Sequence, residues 1–237
     1  MKKSYPLDKM AVKNKLKAAA WHFVFSVLVF VLALVWIRWF LYPDFHFDLN
    51  GVWYGLRLVA GVDLVLGPLI TFLVFHHAKP LREKIMDFTL IGLVQAAALF
   101  YGLYTMYQEH PRMLTLYQYG TAMTITQREY ATDKMVLPAD LSQFSQVGHV
   151  PVVFYQRTKE QQAVFSPLTL ADLQLANQNV RHYMTYDDDK HILAELDKQY
   201  GENKVYVFAI MGKYQGAFVA MDAQLNVVRI FGQRDLH

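Results

Sequence analysis

Three long apolar stretches fill the first ~107 residues of this 237-residue chain and restrict what it can become. A helix needs about 20 apolar residues to cross a hydrocarbon core of ~30 Å. Ala18 to Tyr42 gives 25 residues with Arg38 as its only Lys, Arg, Asp or Glu. A second stretch starts at Val52 or Leu58 and ends at Phe75, interrupted by Arg57 and Asp63. A third runs from Phe88 to Tyr107, with Gln95 as its strongly polar residue. Backbone groups in hydrocarbon must be satisfied within the segment, so each is predicted to be a transmembrane α-helix. The first is too long for a signal-peptide core. It is followed by Trp36-Ile37-Arg38-Trp39 and not by a small-x-small cleavage site, so an uncleaved helix is expected.

Lys and Arg in short loops set direction. The first seventeen residues carry six lysines (Lys2, Lys3, Lys9, Lys13, Lys15, Lys17) against Asp8, a local +5, while the whole chain is +3. The first loop carries Asp44 and Asp48 and no Lys or Arg; the second carries Lys79, Arg82 and Lys84. The expectation is N-terminus inside, first loop outside, second loop inside, and everything after Tyr107 outside. Trp36, Trp39 and Tyr42 on the first helix and Tyr101, Tyr104 and Tyr107 on the third agree with an outer aromatic belt, and Trp21 with an inner one. In a Gram-negative cell the outside is the periplasm. The basic charge belongs to the tail, residues 1–17, and not to a nucleic-acid-binding surface. No cysteine is present, which excludes disulfides, thiol nucleophiles and thiolate metal sites.

About 130 residues follow Tyr107, enough for one small domain with its own core. A hairpin is expected from Met113–Tyr119 and Ala122–Thr126 around Tyr119-Gly120. Val150–Tyr155, Lys204–Met211, Gly216–Met221 and Asn226–Phe231 read as further strands, the last two joined through Asp222 to Leu225. Two helices are expected. One is capped by Ser166 with Pro167 in its first turn and runs to about Asn177. The other follows Asp187-Asp188-Asp189 with the stripe Ile192, Leu193, Leu196, Tyr200 and stops at Gly201. The fold class is therefore three transmembrane helices (18–107) followed by a mainly antiparallel α+β domain (108–237).

Asp63 is the residue that carries chemistry. Carboxyl groups inside membrane segments are costly and therefore rare. One reading is a structural acid hydrogen-bonded inside the bundle, with Arg38 at similar depth or Gln95 nearer mid-membrane as its partner. The other is a polar notch for a further membrane helix, with Gly61 and Gly67 allowing close approach and Pro68 kinking the helix. An intramembrane aspartyl protease needs a second carboxyl group, and Asp87 lies at the opposite face. His76-His77 reads as a polar helix end, and His46 with Asp48 is no metal site. Asp187 to Asp189 lacks the ligand spacing of a calcium loop and is expected to cap a helix. No nucleophile elbow, phosphate loop, dinucleotide fingerprint or zinc helix is present, and no enzyme, metal or cofactor is expected.

The run Gly61, Asp63, Leu66, Gly67, Pro68, Leu69 resembles the Gly-x-Asp and Leu-Gly-Pro-Leu pattern of the type IV pilin accessory proteins. Asp87, Gln95 and Tyr101-Gly102-Leu103-Tyr104, followed by Pro111, resemble a second element of that family, although Asp87 precedes Phe88 where the family has the reverse order. The resemblance covers roughly Leu58 to Leu116. It implies an inner-membrane, non-enzymatic assembly factor. Its partner would be a cognate major type IV pilin, met through the pilin's transmembrane helix and its periplasmic head. A periplasmic ligand sensor or a scaffold subunit of an envelope complex is the competing reading. The tail and second loop are too short to hold a signalling module.

Overall fold

A computed structural model describes residues 9–76, 79–132, 137–160 and 162–236. Lys2, Lys3 and Asp8 of the basic tail, and His77, lie outside the described residues. The chain divides into two compact units. One comprises the chain up to Ile37 together with Trp53–Met106. The other comprises Arg38–Val52 and the chain from Tyr107 onward.

Among the described residues three helices are long and apolar enough to cross a membrane, Lys9–Leu41, Val52–Val74 and Leu81–Gln108, and all but residues 38–41, 52 and 107–108 of them belong to the first unit. The first is α1 (Lys9–Trp36), which runs into a π-helical turn at Ile37–Leu41. A four-residue helix, α2 (His46–Leu49), lies in the connection. The second span is built of α3 (Val52–Ala60), a π-helical stretch Gly61–Leu66 and α4 (Gly67–Val74). Pro68 explains the interruption. It has no N–H to give to the carbonyl four residues back, and its ring crowds that carbonyl. The ladder widens ahead of it, and the Gly67 N–H reaches Val62 O, five residues back. The third span is α5 (Leu81–Gln108), where Lys79 Nζ pairs with Asp87 at 2.6 Å.

The second unit is a curled mixed sheet with helices. Its strands are β1 (Pro111–Tyr117), β2 (Thr121–Thr126), β3 (Gln146–Val147), β4 (Val150–Arg157), β5 (Ala163–Pro167), β6 (Tyr206–Met211), β7 (Gln215–Met221) and β8 (Val227–Asp235). The order is β3-β4-β1-β2-β6-β7-β8, with β5 also on β4. The expected β1–β2 hairpin is present, turning at Gly120, where φ is +82°. A Cβ there would meet Ala176 O at 2.3 Å, so both conformation and space favour glycine. Five pairings are antiparallel, as expected, but β1–β4 and β2–β6 are parallel. Parallel neighbours need long crossovers. The segments after β2 and after β5 supply them, the first beginning with α6 (Gln127–Thr132) and the second carrying α7 (Leu170–Met184) and α8 (Lys190–Tyr200).

One helix start and one capping bond differ from the sequence expectation. Ser166 and Pro167 belong to β5. Helix α7 starts three residues later, where Thr169 and Asp172 form a reciprocal capping box. Asp189 occupies the N-cap of α8 but makes no side-chain cap bond. Asp187 instead accepts the Asp189 N–H at 3.0 Å and the Arg234 guanidinium at 2.8 Å, tying the helix start to β8.

The inner face of the curl is the main core: Leu114 and Leu116 of β1, Val152 and Phe154 of β4, and Phe208 and Ile210 of β6. Met113 and Val153 point the other way, onto Leu141 and Phe144. Val207, Phe218 and Ala220 pack against Val180, Ile192 and Leu196 of α7 and α8. Strands buried on both faces read as apolar runs, which is why β1 and β4 lack clean alternation. Asn177 ties these layers together. Its Oδ1 accepts the Val207 N–H at 2.8 Å and an Arg181 N–H at 3.2 Å, while Arg181 also grips Asp197.

The connection between the first two spans contributes to this core. Phe45 and Leu49 are 1% and 0% exposed and join the inner cluster. Tyr214 N donates to Leu49 O at 3.2 Å, and Lys213 N donates to Asn50 Oδ1 at 3.3 Å. Gly212 lies so near that a Cβ on it would meet Leu49 O at 2.4 Å.

Candidate functional site

The three apolar helices of the first unit surround a small polar cluster. Its centre is His22 on α1. His22 Nδ1 lies 2.6 Å from Thr71 Oγ1 on α4, and Nε2 lies 2.8 Å from Gln95 Oε1 on α5. One neutral tautomer satisfies both contacts: Nε2–H donates to the Gln95 carbonyl oxygen, and Nδ1 accepts from the Thr71 hydroxyl. A single imidazole thus cross-links all three helices. Interhelical hydrogen bonds of this kind are worth roughly 0.6–2 kcal/mol each in membranes.

Asp63 lies beside this cluster, in the π-helical stretch, at 7% exposure. Among the described residues its Oδ1 is buried with no hydrogen-bond partner, and so is Gln95 Nε2. π-Helical turns inside α-helices recur at functional sites. Here the turn rotates the chain so that Asp63, Gly67 and Thr71, four residues apart, all face inward and buried. Asp63, His22, Ser26 and Gln95 border a cavity of ≈ 640 Å³ whose walls are otherwise apolar.

The other candidate residues divide clearly. Gly67 is a close-approach glycine: a Cβ there would lie 2.0 Å from Gln95 Nε2 and 3.1 Å from His22 Nε2. Gly61 faces open space. Pro68 opens α4 behind the widened turn. Arg38 belongs to the other unit, where its guanidinium donates to Tyr42 O at 3.4 Å and lies 5.7 Å from the centre of the Phe47 ring. The structure therefore brings Asp63 together with Gln95 and Gly67, and gives Arg38 bonds of its own. His22 and Thr71 were missed in the sequence. The signal was available: His22 is the lone histidine of an apolar span, and Thr71 continues the four-residue spacing of Asp63 and Gly67.

The two glycines make a paired prediction. Gly67→Ala is expected to push Gln95 off His22 and lower the thermal stability of the detergent-solubilised protein by about 1–2 kcal/mol. Gly61→Ala is expected to leave it unchanged or slightly raised, since alanine is the better helix former. Equal behaviour of the two variants in a melting experiment would rule out the packing role of Gly67.

No family model matches the chain, and no solved structure matches it significantly. Three known proteins of Dichelobacter nodosus do. The fimbrial assembly protein of serogroup E1 is 30% identical over 136 residues, which is 56% of this chain and 52% of the relative. That of serogroup I is 29% identical over 137 residues, 56% of this chain and 52% of the relative. That of serogroups C1 and C2 is 34% identical over 97 residues, 40% of this chain and 72% of the relative. The chain spans about half the length of the first two. Together with the motif run from Gly61 to Leu69, these likenesses show that the chain belongs to the fimbrial assembly proteins, a family related to type IV pilus assembly.

Proposed function

We propose that this chain is a multi-pass inner-membrane factor, without enzymatic activity, that binds a cognate major type IV pilin and supports it for assembly into the pilus. In this reading the N-terminus is cytoplasmic and the sheet unit is periplasmic. The names of the relatives support the assembly role. The observation that carries the rest is the division of the chain into a unit of span-length apolar helices and a separately folded unit. A pilin awaiting assembly has an apolar helix in the membrane and a head outside it. A helper that meets both needs these two parts. Within the membrane part, Asp63 and Gln95 form the contact region for the pilin helix, with Gly67, Pro68 and Gly61 shaping the helix that carries Asp63. Arg38 lies in the folded unit and would serve the head.

The test is a mild-detergent pull-down of the tagged full-length chain from its own cells. A major pilin recovered as the dominant partner is the expected result. Recovery of transporter or sensor components without a pilin would overturn the reading.

A further inference from the structure

The cavity beside Asp63 has the form of a slot for one more helix. One wall is a stripe of α1 through Ala18, Phe25 and Val29; the other is a stripe of α5 through Gly92, Ala96 and Leu99. The spacings, seven and four on one wall and four and three on the other, are those of a single helix face. At 1.5 Å per residue the α1 stripe is about 16 Å long, or three helical turns. The rim is open: Phe25 and Phe100 are 65% and 70% exposed. Gly92 and Ala96, one turn apart, are the small residues of the α5 wall, and a Cβ at Gly92 would meet nothing within 4 Å, so an approaching backbone is not held off at that level.

The second observation is what the slot leaves unsatisfied. Asp63 borders it at 7% exposure, with Oδ1 buried and without a partner among the described residues. The nearby histidine does not serve as that partner, because both its nitrogens are engaged by Thr71 and Gln95. An unsatisfied polar group in hydrocarbon is costly. A lipid tail entering the slot would bring no donor and leave that cost in place. A helix with a hydrogen-bond donor or a cation at this depth would remove it.

We propose that the slot between α1 and α5 is the seat of one transmembrane helix of the partner protein, and that this helix presents a donor or cationic group to Asp63. The proposal rests on the pilin-binding reading for the identity of the partner, but not for the geometry of the seat.

The experiment is site-specific photo-crosslinking in the native cell. p-Benzoylphenylalanine replaces Phe25 or Phe100 at the rim, one at a time, in the full-length chain. Val94, at 63% exposure and about 200° around α5 from Gly92, is the control position. Expected is an adduct from both rim positions whose crosslinked peptide maps to the pilin's transmembrane helix, with little from Val94. Asp63→Leu is expected to cut the yield at least tenfold. Ala96→Phe, which fills the slot and keeps the Asp63 carboxyl group, should do the same, so a folding failure of one variant does not rescue the idea. Adducts with lipid only, equal yields from Val94, or yields unmoved by both substitutions would overturn the proposal. Pilin recovered in the pull-down without rim adducts removes the seat and leaves the pilin reading. Rim adducts to a donor-bearing membrane helix of another identified protein, lost in both variants, keep the seat and remove the pilin.

Discussion

Phe45→Ala is expected to destabilise the folded unit by about 3–5 kcal/mol, the usual cost of emptying a buried aromatic site. Phe45 lies in the short connection between the first two spans, which the sequence reads as an outer loop. It is instead 1% exposed, and it packs in the same cluster as Leu49, Leu114, Phe154 and Phe208. Its ring also lies 4.3 Å from that of His46. Deleting it removes dispersion contacts from a close-packed interior that relaxes only partly. The measurement is hydrogen exchange of β6 and β7 amides in the detergent-solubilised chain. These amides should exchange much faster in Phe45→Ala and at an unchanged rate in Tyr186→Ala, where the side chain is 85% exposed. Unchanged protection in Phe45→Ala would mean that the connection does not support the sheet. A domain boundary drawn at Tyr107 would miss this effect, because it leaves out residues 38–52.

Acid should weaken the same unit through His46. This imidazole is fully buried, with Nε2 unpartnered among the described residues and Nδ1 within 3.4 Å of Asn50 Nδ2. Burial, with a smaller contribution from nearby His149, pushes its pKa down from 6.5 to about 3. The folded chain therefore refuses a proton that the unfolded chain accepts between those values. By linkage, stability is unaffected by His46 above pH ~6.5, and falls by about 1.4 kcal/mol per pH unit as pH drops toward 3. Burial lowers His110 as well, so the wild-type slope is not due to His46 alone. His46→Phe, which keeps an aromatic ring beside Phe45 and cannot titrate, isolates the contribution. Its melting temperature should fall less than that of the wild type between pH 6.5 and 4.5. Parallel pH profiles would show that the buried imidazole is not the acid-sensitive group.

These expectations depend on features that sequence shows unevenly. The three long helices were legible because apolar runs of about 20 residues or more exceed the length of a strand and satisfy their backbone locally as helix. The ends of the helices were less legible. Residues 9–17 and 81–87 extend α1 and α5 beyond the apolar windows, because helical hydrogen bonding continues wherever nothing breaks it. In the folded unit the β1–β2 and β7–β8 hairpins followed from Gly120 and from Asp222 to Leu225, since turns are local chemistry. The parallel pairs β1–β4 and β2–β6 did not, because no local signal records which strand returns to lie beside which. The start of α7 was misplaced for a related reason. Ser166-Pro167 and Thr169 both satisfy capping rules, and pairing of Phe165 and Ser166 with β4 decided between them.

For the candidate site, residue chemistry by itself singled out Asp63 as an anomaly, because a carboxyl group in an apolar helix stands out against its neighbours at any depth. It also gave Gln95 and Gly67, one as the polar residue of its span and one as a small residue four positions from Asp63. Only the tertiary structure decided which groups meet. Side-chain partners across helices depend on rotation about each helix axis, and the π-helical stretch ahead of Pro68 changes that rotation by an amount no residue pattern encodes. That turn aims Asp63 into the slot, places Gly67 against Gln95, and leaves His22 to join the three helices. Sequence thus determined that a polar group sits among these apolar helices; packing determined that, among the described residues, its Oδ1 has no partner beside an open slot.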